Sequence, residues 1–190
     1  AAIKLARRWF HDNRQPERFE IITMKDSFHG RTMASLSATA QKKIHTGFTP
    51  LLPGFKYIPF NNIAALKKAI TKKTCAVLIE PIQGEGGINL AQKTYLKTLR
   101  KICNEKGILL IFDEIQTGFG RTGQLFAYER YKIKPDIITL AKALGGGIAI
   151  GAMGSTNKII GSFSPGTHGA TFGGNPLACA ASLAAIKTLT

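Results

Sequence analysis

The sequence predicts an α/β domain, a mostly parallel sheet with helices on both faces. Residues 75–79 and 108–112 are apolar at every position, which suits a strand only when both of its faces are covered. Between them, residues 92–105 repeat their apolar positions at helical spacing. Strand-like and helix-like segments alternate along the rest of the chain.

Residues 1–10 already read as a helix, with Ile3, Leu5, Ala6, Trp9 and Phe10 roughly on one face and Lys4, Arg7 and Arg8 mostly off it. Residues 21–24 form a short strand and residues 31–40 a helix after Gly30. Residues 55–59 are extended, and Asn61 or Asn62 caps a helix over 63–70. The strand 75–79 follows, then the amphipathic helix 92–105, which Gly107 stops. After the strand 108–112, Ile137 and Ile138 belong to a third apolar strand. The glycines 145–147 make a tight loop, and 176–189 is a final helix. No capping residue precedes the first helix, none ends the last, and residue 1 is not Met. The expectation is therefore an interior piece of a longer protein.

Composition narrows the class. At 190 residues, 44% hydrophobic and 19% charged, the chain suits one folded domain. Its 26 basic against 11 acidic residues give a net charge of +15, which raises the possibility of a polyanion partner. The basic residues are scattered, however, as in Lys42-Lys43, Lys67-Lys68 and Lys72-Lys73. No long basic run and no zinc-finger or RNP-like motif accompanies them. A lysine-rich solvated surface is the preferred reading, with no nucleic-acid partner. Cys75, Cys103 and Cys179 lack metal-ligand spacing, and Cys75 and Cys179 read as packed thiols of a reducing compartment, which makes the cytoplasm the expected location. No apolar run is long enough to span a membrane, so no membrane partner is expected.

In open α/β sheets ligands bind beyond the carboxyl ends of the strands. The polar residues that follow each apolar run are therefore the ones to weigh. Asp113 and Glu114 follow 108–112. Such an acid can hold Mg²⁺, bond a ribose or pair with a pyridinium nitrogen, and the bland reading is a loop cap. The first role needs a GxxxxGK[ST] loop, which this chain lacks. The second meets a decoy in GFGRTG at 118–123, whose glycines come several residues too late for the tight strand-to-helix turn.

Lys142 lies in TLAKALGGG at 139–147, just after the strand around Ile137. A lysine among apolar residues and glycines is either a desolvated nucleophile or a stem lying on apolar surface with its ammonium in water. Asp113 and Lys142 together favour one chemistry. Pyridoxal 5'-phosphate (PLP) needs a lysine to form a Schiff base and a carboxylate to keep its ring nitrogen protonated. The stretch SFHGRT at 27–32 adds Phe28, which can stack on a flat ring, and Arg31, which can grip a carboxylate. Their bland readings are core packing and a surface ion pair, and His29 is expected to be structural. Glu85, between glycines in EPIQGEGG at 80–87, faces the ligand edge or is a turn acid. Hydroxyls and amides of the loop 167–176 can bind phosphate or simply make a turn and helix cap.

Taken in order, SFHGRT, EPIQGEGG, FDEIQTG at 112–118, TLAKALGGG and TFGGNPLA at 171–178 resemble the class III (fold type I) aminotransferases. The resemblance covers essentially the whole chain. It implies that Lys142 binds PLP and shuttles the substrate proton and that Asp113 pairs with the pyridinium nitrogen. It also implies that Gln116 bonds the ring's phenolic oxygen and that Phe28 stacks on the ring. Arg31 matches the position that holds the substrate α-carboxylate. Glu85 matches a glutamate that lets the site take first an ω-amino donor and then 2-oxoglutarate. Thr171 matches a residue that reaches the cofactor phosphate of the neighbouring subunit, which implies a homodimer with shared sites. The donor implied first is N-acetylornithine, in arginine biosynthesis, with ornithine, succinylornithine and 4-aminobutyrate as alternatives. The family's upstream phosphate loop and small C-terminal domain are not in this sequence. Residues 1–190 are therefore expected to be most of the large PLP-binding domain, inactive alone. A P-loop ATPase fragment, a basic nucleic-acid module and an inactive PLP-fold protein stay as rivals.

Overall fold

The computed structural model describes residues 1–190. Its elements in chain order are α1 (Ala2–Asp12), β1 (Glu20–Met24), α2 (Met33–Ala38), α3 (Lys42–His45), β2 (Phe55–Ile58), α4 (Ile63–Ala69), β3 (Thr74–Ile79), β4 (Ile82–Gln83), β5 (Asn89–Leu90), α5 (Lys93–Lys106), β6 (Leu109–Asp113), α6 (Ala127–Tyr131), β7 (Ile137–Leu140), a 3-10 turn (Lys142–Gly145), β8 (Ala152–Ser155), α7 (Asn157–Ile160) and α8 (Pro176–Leu189). The main sheet has six strands in the order β2-β1-β3-β6-β7-β8. All pairs are parallel except β7 with β8, which closes one edge antiparallel. The α/β architecture is the one the sequence predicts.

Every residue of the central strands β3 and β6 is buried, as their unbroken apolar runs demand. Side chains alternate between the faces of a strand. Val77, Ile79, Leu110 and Phe112 therefore pack on one face with Leu66 of α4 and Leu96 and Leu99 of α5. Leu78, Leu109 and Ile111 pack on the other with Leu5 and Phe10 of α1 and Ile159 of α7. Phe10 is among the largest wholly buried side chains.

The helix ends follow local chemistry. Asn62, rather than Asn61, caps α4, its Oδ1 accepting the Ala65 N–H at 2.8 Å. Gly107 ends α5 at φ 56°, a left-handed turn that suits glycine. Asn175 caps α8 through the Ala178 N–H at 2.9 Å, with Pro176 in the first turn. The helix expected over 31–40 is shorter. Thr32 and Thr39 are both extended, and the Thr39 hydroxyl accepts the His29 N–H at 2.8 Å instead of sitting inside a helix.

The topology sets the site. β1, β3, β6 and β7 are consecutive in the sheet and parallel, so their exits share one edge. Phe28 and Arg31 leave β1, Glu80 and Glu85 leave β3, Asp113 and Gln116 lie at and beyond the end of β6, and Lys142 leaves β7. No helix is long and apolar enough to cross a membrane.

Candidate active site

Asp113 is the last residue of β6 and pairs in register with Thr139 of β7. Lys142 follows β7 almost at once, which puts the acid and the amine at the mouths of neighbouring strands. Asp113 is 6% exposed. Its Oδ1 accepts the Ile115 N–H at 3.2 Å, and its Oδ2 lies 2.8 Å from Nδ1 of buried His29. A carboxylate accepts, so the His29 proton toward Asp113 sits on Nδ1. The His29 Nε2 is buried with no partner. Each carboxylate oxygen carries two lone pairs, so Asp113 retains the capacity to accept a ring N–H.

Phe28 is half-buried, and its backbone N–H donates to Glu80 Oε2 at 3.0 Å. The Arg31 guanidinium is exposed and lies 5.6 Å from the Phe28 ring centroid, with no carboxylate partner. It lies over one face of the Phe28 ring, and it remains free to receive an anion. Glu85 is exposed, and Gln116 Nε2 donates to its Oε1 at 3.3 Å. The Gln116 amide lies directly against Gly84, where a β-carbon would collide with it. The expected partner of Gln116 was a ligand oxygen; in this structure its amide bridges to Glu85.

Lys142 is exposed and begins the 3-10 turn at φ 46°. A non-glycine residue in that left-handed region stores roughly 1–2 kcal/mol of strain, and such strain clusters at functional positions. The loop it opens turns through Gly146 and Gly147, both at positive φ. A cavity of about 670 Å³ is lined by Ala141, Lys142 and residues 147–151. A second, of about 520 Å³, lies among Ile115, Thr139, Leu140 and Met153 and is bounded by His168 and Gly169. Thr171 is exposed in the turns before α8, and no hydrogen bond joins it to the other candidates.

Glu114, the neighbour of Asp113, has a different task. Its two oxygens accept the Ala127 N–H at 2.7 Å, the Tyr128 N–H at 2.8 Å and the Thr117 hydroxyl at 3.1 Å. It is a buried cap for α6, and its burial raises its pKa against those donors. With its oxygens committed, Glu114 does not suit the metal-acid role. The glycine decoy also resolves, since 118–123 is a run of turns and the next helix starts only at Ala127.

Some residues of the site escaped sequence reasoning. His29, expected to be structural, sets its ring on Asp113, where it holds the carboxylate in place. Glu80 is 4% exposed, and burial pushes its carboxyl up to about 7 against the opposing pull of His29 and the Phe28 N–H. A signal for Glu80 existed, because it follows an unbroken apolar strand just as Asp113 does.

A family model for aminotransferase class-III matches residues 1–190. Acetylornithine aminotransferase of Methanocaldococcus jannaschii is 56% identical over 188 residues, 99% of this chain and 47% of that protein. Acetylornithine aminotransferase of Oceanobacillus iheyensis is 58% identical over 189 residues, 100% of this chain and 47% of that protein. The chain thus spans about half the length of the curated relatives it matches. Among solved structures, ornithine aminotransferase of Toxoplasma gondii, described with partial occupancy of PLP at its active site, superposes with a TM-score of 0.94 at 39% identity. That match covers 99% of this chain and 46% of the other.

Proposed function

The chain belongs to the class-III aminotransferases, and from that premise we propose that it carries most of a PLP site for moving the ω-amino group of N-acetylornithine to 2-oxoglutarate. The observation that carries the proposal is the pairing of Asp113 and Lys142 at the mouths of adjacent parallel strands. The acid is buried and pinned, and the lysine is exposed and strained.

The residues present fit the cofactor. Asp113 offers a fixed, desolvated carboxylate to a ring nitrogen. Lys142 offers an unpaired amine, Phe28 an aromatic ring, and Gln116 an amide held at Glu85. Thr171 would serve the phosphate of a neighbouring subunit. When bound, PLP supplies an electron sink that lets bonds to the carbon bearing the amino group break at low cost. The protein's part is binding, orientation and proton handling. Asp113 holds negative charge where His29 and the Ile115 N–H aim it. The Lys142 amine holds or releases a proton at Nζ. Arg31 receives the substrate α-carboxylate, and exposed Glu85 sets the charge that the two substrates meet in turn.

Within this reading, residues 1–190 are the large cofactor-binding domain of a longer homodimeric protein. Exposed Phe172, Leu177, Leu183 and Leu189 around α8 suit a protein interface, and the free cysteines suit the cytoplasm. Identity of 56–58% to acetylornithine aminotransferases over nearly the whole chain supports the acetylated donor. Borohydride reduction of the full-length protein with PLP, followed by peptide mapping, tests the site, and the expected adduct is on Lys142. Steady-state rates on N-acetylornithine, ornithine, succinylornithine and 4-aminobutyrate test the donor. A clear preference for 4-aminobutyrate would overturn it.

A further inference from the structure

Glu80 has no place in the reading above, yet it is a buried carboxylate at the catalytic edge of the sheet. It leaves β3 and reaches sideways to the loop that leaves β1, where its Oε2 accepts the Phe28 N–H at 3.0 Å. The next residue is His29, whose ring meets Asp113 and whose N–H is held by Thr39. The two loops are also joined by Gln83 Nε2, which donates to the Lys25 carbonyl at 2.8 Å. Gly86 packs directly against the Asp26 carbonyl, with no room for a β-carbon. From the other side, Gln41 Nε2 donates to the Ser27 carbonyl at 3.1 Å.

In this lattice of bonds the Phe28 N–H has Glu80 as its acceptor. A backbone N–H that loses its partner at a part-buried position is costly, so losing Glu80 would drive the Phe28 backbone to turn toward another acceptor. That turn would carry the Phe28 ring and the His29 seat with it.

We propose that Glu80 is a positioning residue: its buried carboxylate, by accepting the Phe28 N–H, sets the plane of the Phe28 ring and the approach of His29 to Asp113, and so governs how tightly the cofactor binds. The inference rests on the reading that PLP binds between Phe28 and Asp113. What Glu80 supplies is an acceptor at the right reach. Glutamine keeps both reach and acceptor, whereas aspartate keeps the charge but falls short by a methylene.

The test is PLP affinity in the full-length protein, followed by the cofactor's absorbance, for wild type, Glu80→Gln and Glu80→Asp. Borohydride labelling of wild-type Lys142 runs as the control, and far-UV circular dichroism shows that each variant is folded. Loss of one buried hydrogen bond predicts PLP binding weakened at least about tenfold in Glu80→Asp. Glu80→Gln should stay within about threefold of wild type. A general structural defect would weaken both variants together, and that result overturns the proposal. It is equally overturned if Glu80→Asp binds like wild type, or if Glu80→Gln is the weaker of the two. Should wild type take no adduct at Lys142, the PLP reading itself fails and this inference falls with it. A normal wild-type adduct with unchanged Glu80→Asp affinity removes the Glu80 role alone.

Discussion

His29 Nδ1 lies 2.8 Å from Asp113 Oδ2, a buried contact between residues 84 positions apart in the chain. The contact does two things at once. It gives a desolvated carboxylate a hydrogen-bond donor, without which its burial would be costly. It also aims the carboxylate, since Oδ1 is separately held by the Ile115 N–H and the group cannot swing. A carboxylate that must face one ring nitrogen benefits from both effects.

Asp113→Asn in the full-length protein keeps the shape and removes the charge. An amide cannot keep the ring nitrogen of the cofactor protonated, so kcat with N-acetylornithine and 2-oxoglutarate should fall by at least about a hundredfold. His29→Asn retains a donor and should cost only about tenfold. If the His29 variant turns over like wild type, the contact is packing and nothing more.

The backbone at Lys142 makes a separate prediction. At φ 46° a β-carbon is strained and glycine is not. Among variants lacking the amine, Lys142→Gly should therefore be more stable than Lys142→Ala, by about 1 kcal/mol in chemical denaturation of the cofactor-free protein. Both should lose the borohydride adduct. Equal stability would mean that the left-handed conformation belongs to the lysine and not to the position.

Much of this was legible in the sequence, and the failures have physical causes. β3 and β6 announced themselves as unbroken apolar runs because strands covered on both faces need no alternation. The ends of α4 and α5 were marked by Asn61-Asn62 and Gly107, and the helix cap that the loop 167–176 could make is supplied by Asn175. β8 was missed because an edge strand reading Ala-Met-Gly-Ser has only one side to pack. Helices α3, α6 and α7, of 4–5 residues each, are shorter than the pattern that would reveal them. Asp113 and Lys142 stood out by following apolar strands. The parts of His29 and Glu80 did not, since each depends on a partner that only the sheet order brings near.

Stability should report Glu80 through pH. Burial lifts its carboxyl from 4.5 to about 7, so the folded protein holds that proton more tightly than the unfolded chain does. The resulting stabilisation is complete below pH 4.5 and is lost as pH rises through 7. Across that window it amounts to about 3 kcal/mol. Glu80→Gln cannot ionise, so its Tm relative to wild type should climb steadily from pH 4.5 to about pH 8. A Tm difference that ignores pH would show that Glu80 does not titrate in this window.

Glu114 should separate stability from chemistry. Glu114→Ala strands the Ala127 and Tyr128 N–H groups and the Thr117 hydroxyl, and should cost about 2–4 kcal/mol in chemical denaturation. The surviving folded protein should still take a pyridoxyl adduct on Lys142. Loss of the adduct without loss of stability would place Glu114 in the chemistry instead.

Gly84 offers the reverse separation. A methyl group there would collide with the end of the Gln116 side chain, a flexible group able to move aside. The cost to the fold should therefore be small, and the Tm of Gly84→Ala should lie close to that of wild type. The cost to the site should not be small, because the displaced amide leaves Glu85 and the face where the cofactor is proposed to lie. One misplaced hydrogen bond is worth about 0.5–1.5 kcal/mol, so kcat/KM for N-acetylornithine should drop roughly two- to tenfold. Gln116→Ala should cost about as much, and the double variant little more than either alone, since both act through the same amide. Additive losses in that cycle would show that Gly84 matters for some reason other than the seat of Gln116.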